Sequence, residues 1–448
     1  MSADPPGAAS PEAGSSSSSI TLSPVGPVTG RVAAPSSKSV SNRLLVLACL
    51  AEGSSRLSGL LASDDTAVMA AGLRALGAEI GDLGSDLGGG TSDGGVTVRG
   101  TGGALQAPEG VVGVGLSGTT LRFLACVALL APGTVTLDGD PPLRRRPIGP
   151  LIGVLERLGA TVGSDRGRPP VAITPAGLPG GRIEVDAATS SQFASGILLV
   201  APFAAETMVV EVSNLGAAGY VELTVAAMRR WGAEVSCEGT RYEVTAGCHY
   251  IARQDAAEYD ASAAAHLFAL AMASGGSITV SNAVGTVQPD SHIVAVLAAM
   301  GGSVASGPDG VTVTGPSRLQ GVDVDVSTMP DQLPTLAVLG ALASGRTRLT
   351  GVSVARGHET DRVAAIATEL GALGASVEAE PDALVVHGGR SLHGGAVRTY
   401  HDHRMAMALS CLAAVVPGIT ILDPGCVSKT YPGYWSDLAG LGLRPAGG

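Results

Sequence analysis

One phrase recurs six times along the 448 residues: a helical run, a bulky apolar residue, Gly, usually Ala, and then a strand start. Its copies are Leu76-Gly77-Ala78, Leu158-Gly159-Ala160, Trp231-Gly232-Ala233, Met300-Gly301-Gly302, Leu373-Gly374-Ala375 and Leu441-Gly442-Leu443. Glycine just past an apolar helix is the residue that ends helices in a left-handed conformation, so each copy predicts a helix stop. The glycines are 82, 73, 69, 73 and 68 residues apart, a regularity that means an internally repeated fold. A second phrase fills the other half of each unit: an apolar helix, a Gly or Pro break, then an alternating strand. Leu44 to Leu50 precedes Ser55 to Gly59, and Leu121 to Leu130 precedes Gly133 to Leu137. Each unit then holds two helices and several strands, roughly βαβαββ. With 45% hydrophobic residues, 64 glycines and 3% aromatics, the cores must be Ala, Val, Leu and Ile on a Gly-punctuated α/β framework of two or three domains.

A net charge of −11 argues against nucleic acid or an anionic membrane as the main partner. No apolar run has the length of a membrane span, because Gly or charge interrupts each one. Residues 1–19 are rich in Ala, Pro, Gly and Ser and lack the basic start and apolar core of a signal peptide, which predicts a disordered tail. The six cysteines form no CxxC pair, and Cys49, Cys126 and Cys411 fall inside apolar helix patterns as buried thiols. A soluble cytoplasmic protein is expected.

Polar groups gather just before the first helix of every unit. They are Lys38 to Arg43, Gly118 to Arg122, Thr189 to Gln192, Glu258 to Ser262, Met329 to Gln332 and Tyr400 to Arg404. A helix start carries unpaired N–H groups and the positive end of the helix dipole. If the pseudo-symmetry gathers the six starts, an acidic chain acquires one strongly anion-binding pocket. Taken singly, the residues have plainer readings: Asp331 as a helix cap, Glu359 and Arg362 as an exposed i,i+3 pair, Ser190 and Ser191 as turn residues. His401 and His403 two apart do not share a helix face, so no metal site is read there.

An ordered set of signatures resembles the EPSP synthase (3-phosphoshikimate 1-carboxyvinyltransferase) family of enolpyruvyl transferases across nearly everything after the tail. It comprises Ser37-Lys38-Ser39-Val40-Ser41-Asn42-Arg43, Gly118-Thr119-Thr120-Leu121-Arg122, Arg146-Pro147-Ile148-Gly149, Ser190-Ser191-Gln192-Phe193, Glu359-Thr360-Asp361-Arg362, Asp402-His403-Arg404-Met405-Ala406-Met407, Leu422-Asp423-Pro424 and Lys429-Thr430. The resemblance implies an inside-out α/β barrel architecture of two similar domains with three βαβαββ units each and substrates between them. The N-terminal domain would span 35–257, and the C-terminal domain 20–34 plus 258–448.

The reaction it implies moves the enolpyruvyl group of phosphoenolpyruvate to the 5-hydroxyl of shikimate 3-phosphate, in the shikimate pathway to chorismate and the aromatic amino acids. By similarity Asp331 is the base, with Glu359 and Lys38 the candidates for proton transfer at the methylene carbon and the phosphate. Lys38, Gly118, Arg146, Gln192, Arg362, Arg404 and Lys429 would hold phosphoenolpyruvate. Lys38, Ser39, Arg43, Ser190, Ser191, Gln192, Asp331 and His358 would hold shikimate 3-phosphate. The resemblance implies no metal, no cofactor and no nucleic-acid or membrane partner, a monomer, and inhibition by glyphosate.

The chain departs from the family pattern at a few positions. Ser36 stands where the family turns on Gly, Leu116 replaces an Asn, Gly216-Ala217-Ala218-Gly219-Tyr220 lacks a phosphate-contacting Ser and a Pro, and His358 replaces a Lys. These changes fall mainly on the acceptor side, which leaves open a paralogue acting on another shikimate-like cyclic alcohol. The sister UDP-N-acetylglucosamine transferase is disfavoured because Leu143-Arg144-Arg145-Arg146-Pro147 lacks that family's cysteine.

Overall fold

The computed structural model describes residues 18–24, 26–83 and 95–446. All six repeat glycines take positive φ, between 93° at Gly159 and 106° at Gly77. In each copy the residue after the Gly donates its N–H back across the last turn, as Ala78 does to Leu73 at 3.1 Å and Ala375 to Leu370 at 3.0 Å. The bulky residue before the Gly is buried every time, with Trp231 and Met300 fully inside. The recurring phrase is thus one helix stop, in which a left-handed Gly satisfies orphan carbonyls and seats an apolar anchor.

Six small sheets follow the repeats. In the second, Val111–Gly113 runs parallel to Val135–Asp138, which pairs antiparallel with Arg168–Thr174, which in turn pairs with Thr161–Asp165. The third and fifth repeat this order. The first and fourth take their parallel strand from far along the chain: Gln254–Ala256 lies beside Ser54–Ser58, and Thr29–Val32 beside Ser277–Val280. The sixth is completed by the first strand, Ser19–Leu22, running antiparallel to Ile419–Leu422. The expected tail is therefore ended by Ser19, which already pairs with Leu422; its residues 1–17 lie outside the described residues.

Each unit packs one helix inside and its sheet outside. Lys38–Leu50, Gly118–Val127 and Gln192–Val200 fill one hydrophobic core, and Ala261–Ser274, Leu333–Leu342 and His403–Ser410 fill a second. These helices are buried on nearly every side, which is why they read as unbroken apolar runs rather than amphipathic stripes. The strands alternate, as in Val96–Arg99, where Val96 and Val98 face the core and Thr97 and Arg99 face solvent. Among the described residues no helix is long and apolar enough to cross a membrane.

Candidate active site

Five of the six inner-helix starts line one cleft between the two cores. Lys38 and Ser39 come from the first helix, Gly118, Thr119 and Arg122 from the second, Ser191 and Gln192 from the third, Asp331 from the turn before the fifth, and His403 and Arg404 from the sixth. The fourth start, Glu258 to Ser262, differs from the sequence expectation. Asp260 caps Ala261–Ser274 through Ala263 N–H at 2.9 Å and accepts the Lys38 N–H at 3.3 Å, so it is spent where the chain crosses between the halves. Ser37 is likewise committed, capping Val40 and donating to Gln288 at 2.8 Å.

Seven cations line the cleft (Lys38, Arg43, Arg122, Arg146, Arg362, Arg404 and Lys429) against three carboxylates, Asp65, Asp331 and Glu359. The local sign, a surplus of four positive charges, is opposite to the chain's net charge of −11. Arg362 is the hub on the C-terminal side. Its guanidinium grips Asp402 at 2.7 and 3.2 Å, and donates to Asp331 at 2.6 Å, to the His358 Nδ1 at 2.8 Å and to Glu359 at 3.0 Å. Arg404 takes the other oxygen of Asp331 at 2.7 Å. Lys429 holds Glu359 at 2.8 Å, and Arg146 reaches the same oxygen from the opposite half at 3.8 Å. Lys38 pairs with Asp65 at 3.3 Å.

Two of the plain readings of single residues fail here. Asp331 caps nothing, because both its oxygens face guanidinium groups. Glu359 and Arg362 do pair at i,i+3, but the Arg362 side chain is 1% exposed, so the pair is buried rather than solvated. Burial works to raise both acids, and the cations outweigh it: Arg404 and Arg362 hold Asp331, and Lys429 and Arg146 hold Glu359, below the usual carboxylate range. Burial and then Arg362 push His358 down to about 4, so it is neutral and accepts from that guanidinium. His403 is depressed too, by burial and then Arg404; its Nδ1 lies 3.8 Å from Asp402, and neither ring nitrogen has a hydrogen-bond partner among the described residues.

The N-terminal side holds cations of another kind. Arg43 is buried, donates to Thr224 at 2.7 Å, to the Tyr220 carbonyl at 2.9 Å and to the Ser39 carbonyl at 2.8 Å, and lies 5.3 Å from the Phe123 ring centroid. Arg122 donates to Gln192 at 2.7 Å and lies 5.6 Å from the Phe193 ring centroid. No ion pair to either is present among the described residues, and burial pushes both down to about 10. Ser190 Oγ accepts the Gln192 N–H at 3.2 Å, while Ser191, at the helix start, forms no side-chain cap.

The remaining departures resolve physically. Ser36 is not among the positive-φ residues; it sits in an antiparallel bridge with Tyr259, an extended conformation that needs no Gly. Leu116 is about half exposed and lies off the cleft, whereas Ala217 lines it beside Tyr220. His401 turns away from His403 to pair with Asp423 at 2.6 Å on the surface.

Sequence reading did not put Asp65, Thr119, Arg122, Tyr220, His403 or the Asp402 grip into the site. Arg122 and His403 stood inside quoted signatures, so position in a motif was a usable signal. Asp65 reads only as an acid in a helix's first turn, and Tyr220 stood at the end of the quoted Gly216 to Tyr220 stretch, where only the missing Ser and Pro drew notice.

The fold and the cleft define an enzyme of two similar halves that takes small polyanions between the starts of buried helices. The comparisons agree on which one. Residues 22–438 match the family model described as EPSP synthase (3-phosphoshikimate 1-carboxyvinyltransferase). Proteins named 3-phosphoshikimate 1-carboxyvinyltransferase from Methanosphaerula palustris and Pseudomonas savastanoi pv. phaseolicola are each 40% identical, over 94% and 95% of this chain and 99% and 98% of theirs. A solved EPSP synthase structure from Acinetobacter baumannii superimposes with a TM-score of 0.79 at 25% identity, covering 95% of this chain and 98% of that one. The chain belongs to the EPSP synthase family.

Proposed function

We propose that the chain transfers the enolpyruvyl group of phosphoenolpyruvate to the 5-hydroxyl of shikimate 3-phosphate, giving 5-enolpyruvylshikimate 3-phosphate and phosphate. The observation that carries this reading is the surplus of four positive charges among the side chains lining the cleft, including two buried guanidiniums with no carboxylate partner among the described residues, in a chain of net charge −11. The two substrates bring two carboxylates and two phosphates, the groups that would neutralise it. On this reading Lys38, Gly118, Arg146, Gln192, Arg362, Arg404 and Lys429 serve phosphoenolpyruvate. Lys38, Ser39, Arg43, Ser190, Ser191, Gln192, Asp331 and His358 serve the acceptor.

The acceptor oxygen adds to C2 of phosphoenolpyruvate, the methylene C3 gains a proton, and the C2–O bond to phosphate then breaks as C3 loses a proton. Asp331 takes the hydroxyl proton, and Glu359 with Lys38 handles the protons at C3 and the leaving phosphate. In the free site Asp331 is a weak base because Arg404 and Arg362 hold it ionised. Substrate anions compete for those cations, so binding itself raises the basicity of Asp331. Exclusion of water between the halves strengthens each of these contacts.

The same reading divides the chain into domains of residues 35–257 and 20–34 plus 258–448, supported by the two separate hydrophobic cores. It takes the enzyme to act as a cytoplasmic monomer. Incubation with both substrates in the presence of a metal chelator should release phosphate, and either substrate alone should not. Absence of release would refute the reading. A second reading, transfer to another shikimate-like ring alcohol, is favoured by Ala217 on the acceptor side; faster turnover of such an alcohol than of shikimate 3-phosphate would establish it.

A further inference from the structure

We propose that Arg122 is a positioning residue that fixes the carboxamide of Gln192 as a hydrogen-bond donor toward the cleft and so sets affinity for phosphoenolpyruvate; this rests on the function proposed above. Arg122 lies one helical turn after Gly118 on the second inner helix, and its guanidinium is held against Phe193, the residue after Gln192. Its Nη1 donates to Gln192 Oε1 at 2.7 Å, while Gln192 Nε2 donates to Thr119 Oγ1 at 3.0 Å. The opposite amide orientation would set the Gln192 NH₂ against a guanidinium, donor against donor. Arg122 therefore dictates that the second N–H of Gln192, which has no partner among the described residues, is what the amide offers an anion. A neutral side chain at 122 would let the amide turn and present its oxygen, which repels carboxylate and phosphate.

Three further observations tie Arg122 to a ligand rather than to packing alone. Its buried Nε has no partner, and no carboxylate pairs with it among the described residues. Its Nη1 and that of Arg146 lie 3.3 and 3.2 Å from where a Cβ on Gly118 would stand, so three residues pack into one donor wall. A buried cation without a counter-ion is costly to keep unless an anion arrives. Arg43, the other such cation, lies against a different ring, Phe123, and bonds Thr224, so the two serve separate parts of the cleft.

The test is steady-state kinetics of Arg122→Gln, Arg122→Lys, Gln192→Ala, Gln192→Glu and the Arg122→Gln/Gln192→Ala double variant. Arg122→Gln should raise KM for phosphoenolpyruvate about tenfold or more, and any rise in KM for shikimate 3-phosphate should match that of Gln192→Ala, because the amide serves both substrates. Once Gln192 is Ala, the second substitution should add less than about threefold, because Arg122 acts through that amide. Gln192→Glu, which gives Arg122 a carboxylate without changing volume, should raise KM for phosphoenolpyruvate as much while leaving thermal stability equal or higher. It reports on the proposal even if Arg122→Gln folds poorly, and Arg122→Lys, keeping charge but not the planar fork, should fall between. An unchanged KM for phosphoenolpyruvate in Arg122→Gln, or penalties that multiply in the double variant, would overturn the proposal with the function intact. If the unmodified enzyme releases no phosphate, the functional reading fails on its own. Calorimetric titration of phosphoenolpyruvate then decides: unchanged affinity in Arg122→Gln overturns the positioning role, and a loss of about tenfold upholds it.

Discussion

Replacing Arg43 by Met keeps an unbranched apolar stem over Phe123 and removes a buried charge that no carboxylate among the described residues pairs with. A fall from 12.5 to about 10 corresponds to roughly 3 kcal/mol against the charged form in the empty site. Against that relief stand the lost bonds to Thr224, the Tyr220 carbonyl and the Ser39 carbonyl and a longer one to Ser195, each contributing about 0.5–1.5 kcal/mol. The two nearly offset, so the empty Arg43→Met protein should unfold within about 2 kcal/mol of the parent in denaturant. Binding should respond very differently. Losing a desolvated contact to a phosphate costs about 2–5 kcal/mol, which raises KM for shikimate 3-phosphate roughly 30- to several-thousandfold. KM for phosphoenolpyruvate should change little, since its proposed cations lie elsewhere in the cleft. Phosphate release with each substrate varied in turn, beside a urea titration of the empty protein, measures both halves. An unchanged acceptor KM, or a stability loss above about 4 kcal/mol, would show that Arg43 is a structural cation and not one held for an anion.

Two other outcomes follow from neighbouring groups. His358 is depressed from 6.5 to about 4, so the unfolded chain binds a proton there that the folded chain refuses; stability should fall as pH drops from about 6.5 to 4, by roughly 3 kcal/mol from this residue. His358→Gln should flatten that part of the urea-midpoint profile, and an unchanged slope would mean that His403 and His266, depressed in the same direction, carry it all. A Gly118→Ala methyl would stand 3.2 Å from Arg146 Nη1 and 3.3 Å from Arg122 Nη1, forcing both guanidiniums toward the cleft. KM for phosphoenolpyruvate should rise a few-fold, about 1 kcal/mol, and inhibition by the longer glyphosate should weaken more; equal sensitivity to glyphosate would refute the crowding.

The repeat was legible because a helix stop is a local event. Bulky residue, Gly and Ala suffice to set a left-handed turn, and all six copies adopt it whatever surrounds them. The buried inner helices were legible too, since burial on all sides demands apolar residues on all sides, and the signatures at their starts pointed to anions. What no local pattern carried was which chain segment completes which sheet: Gln254–Ala256 joins the first, Thr29–Val32 the fourth and Ser19–Leu22 the sixth. Only the tertiary structure decided that five helix starts meet while Asp260 is diverted to the crossover, and that Arg362 is a hub for three carboxylates rather than half of a surface pair. The reason is range: helix ends and caps depend on neighbours a few residues away, whereas the charge state of Asp331 depends on Arg362 and Arg404, brought to it by the packing of two repeats' helices.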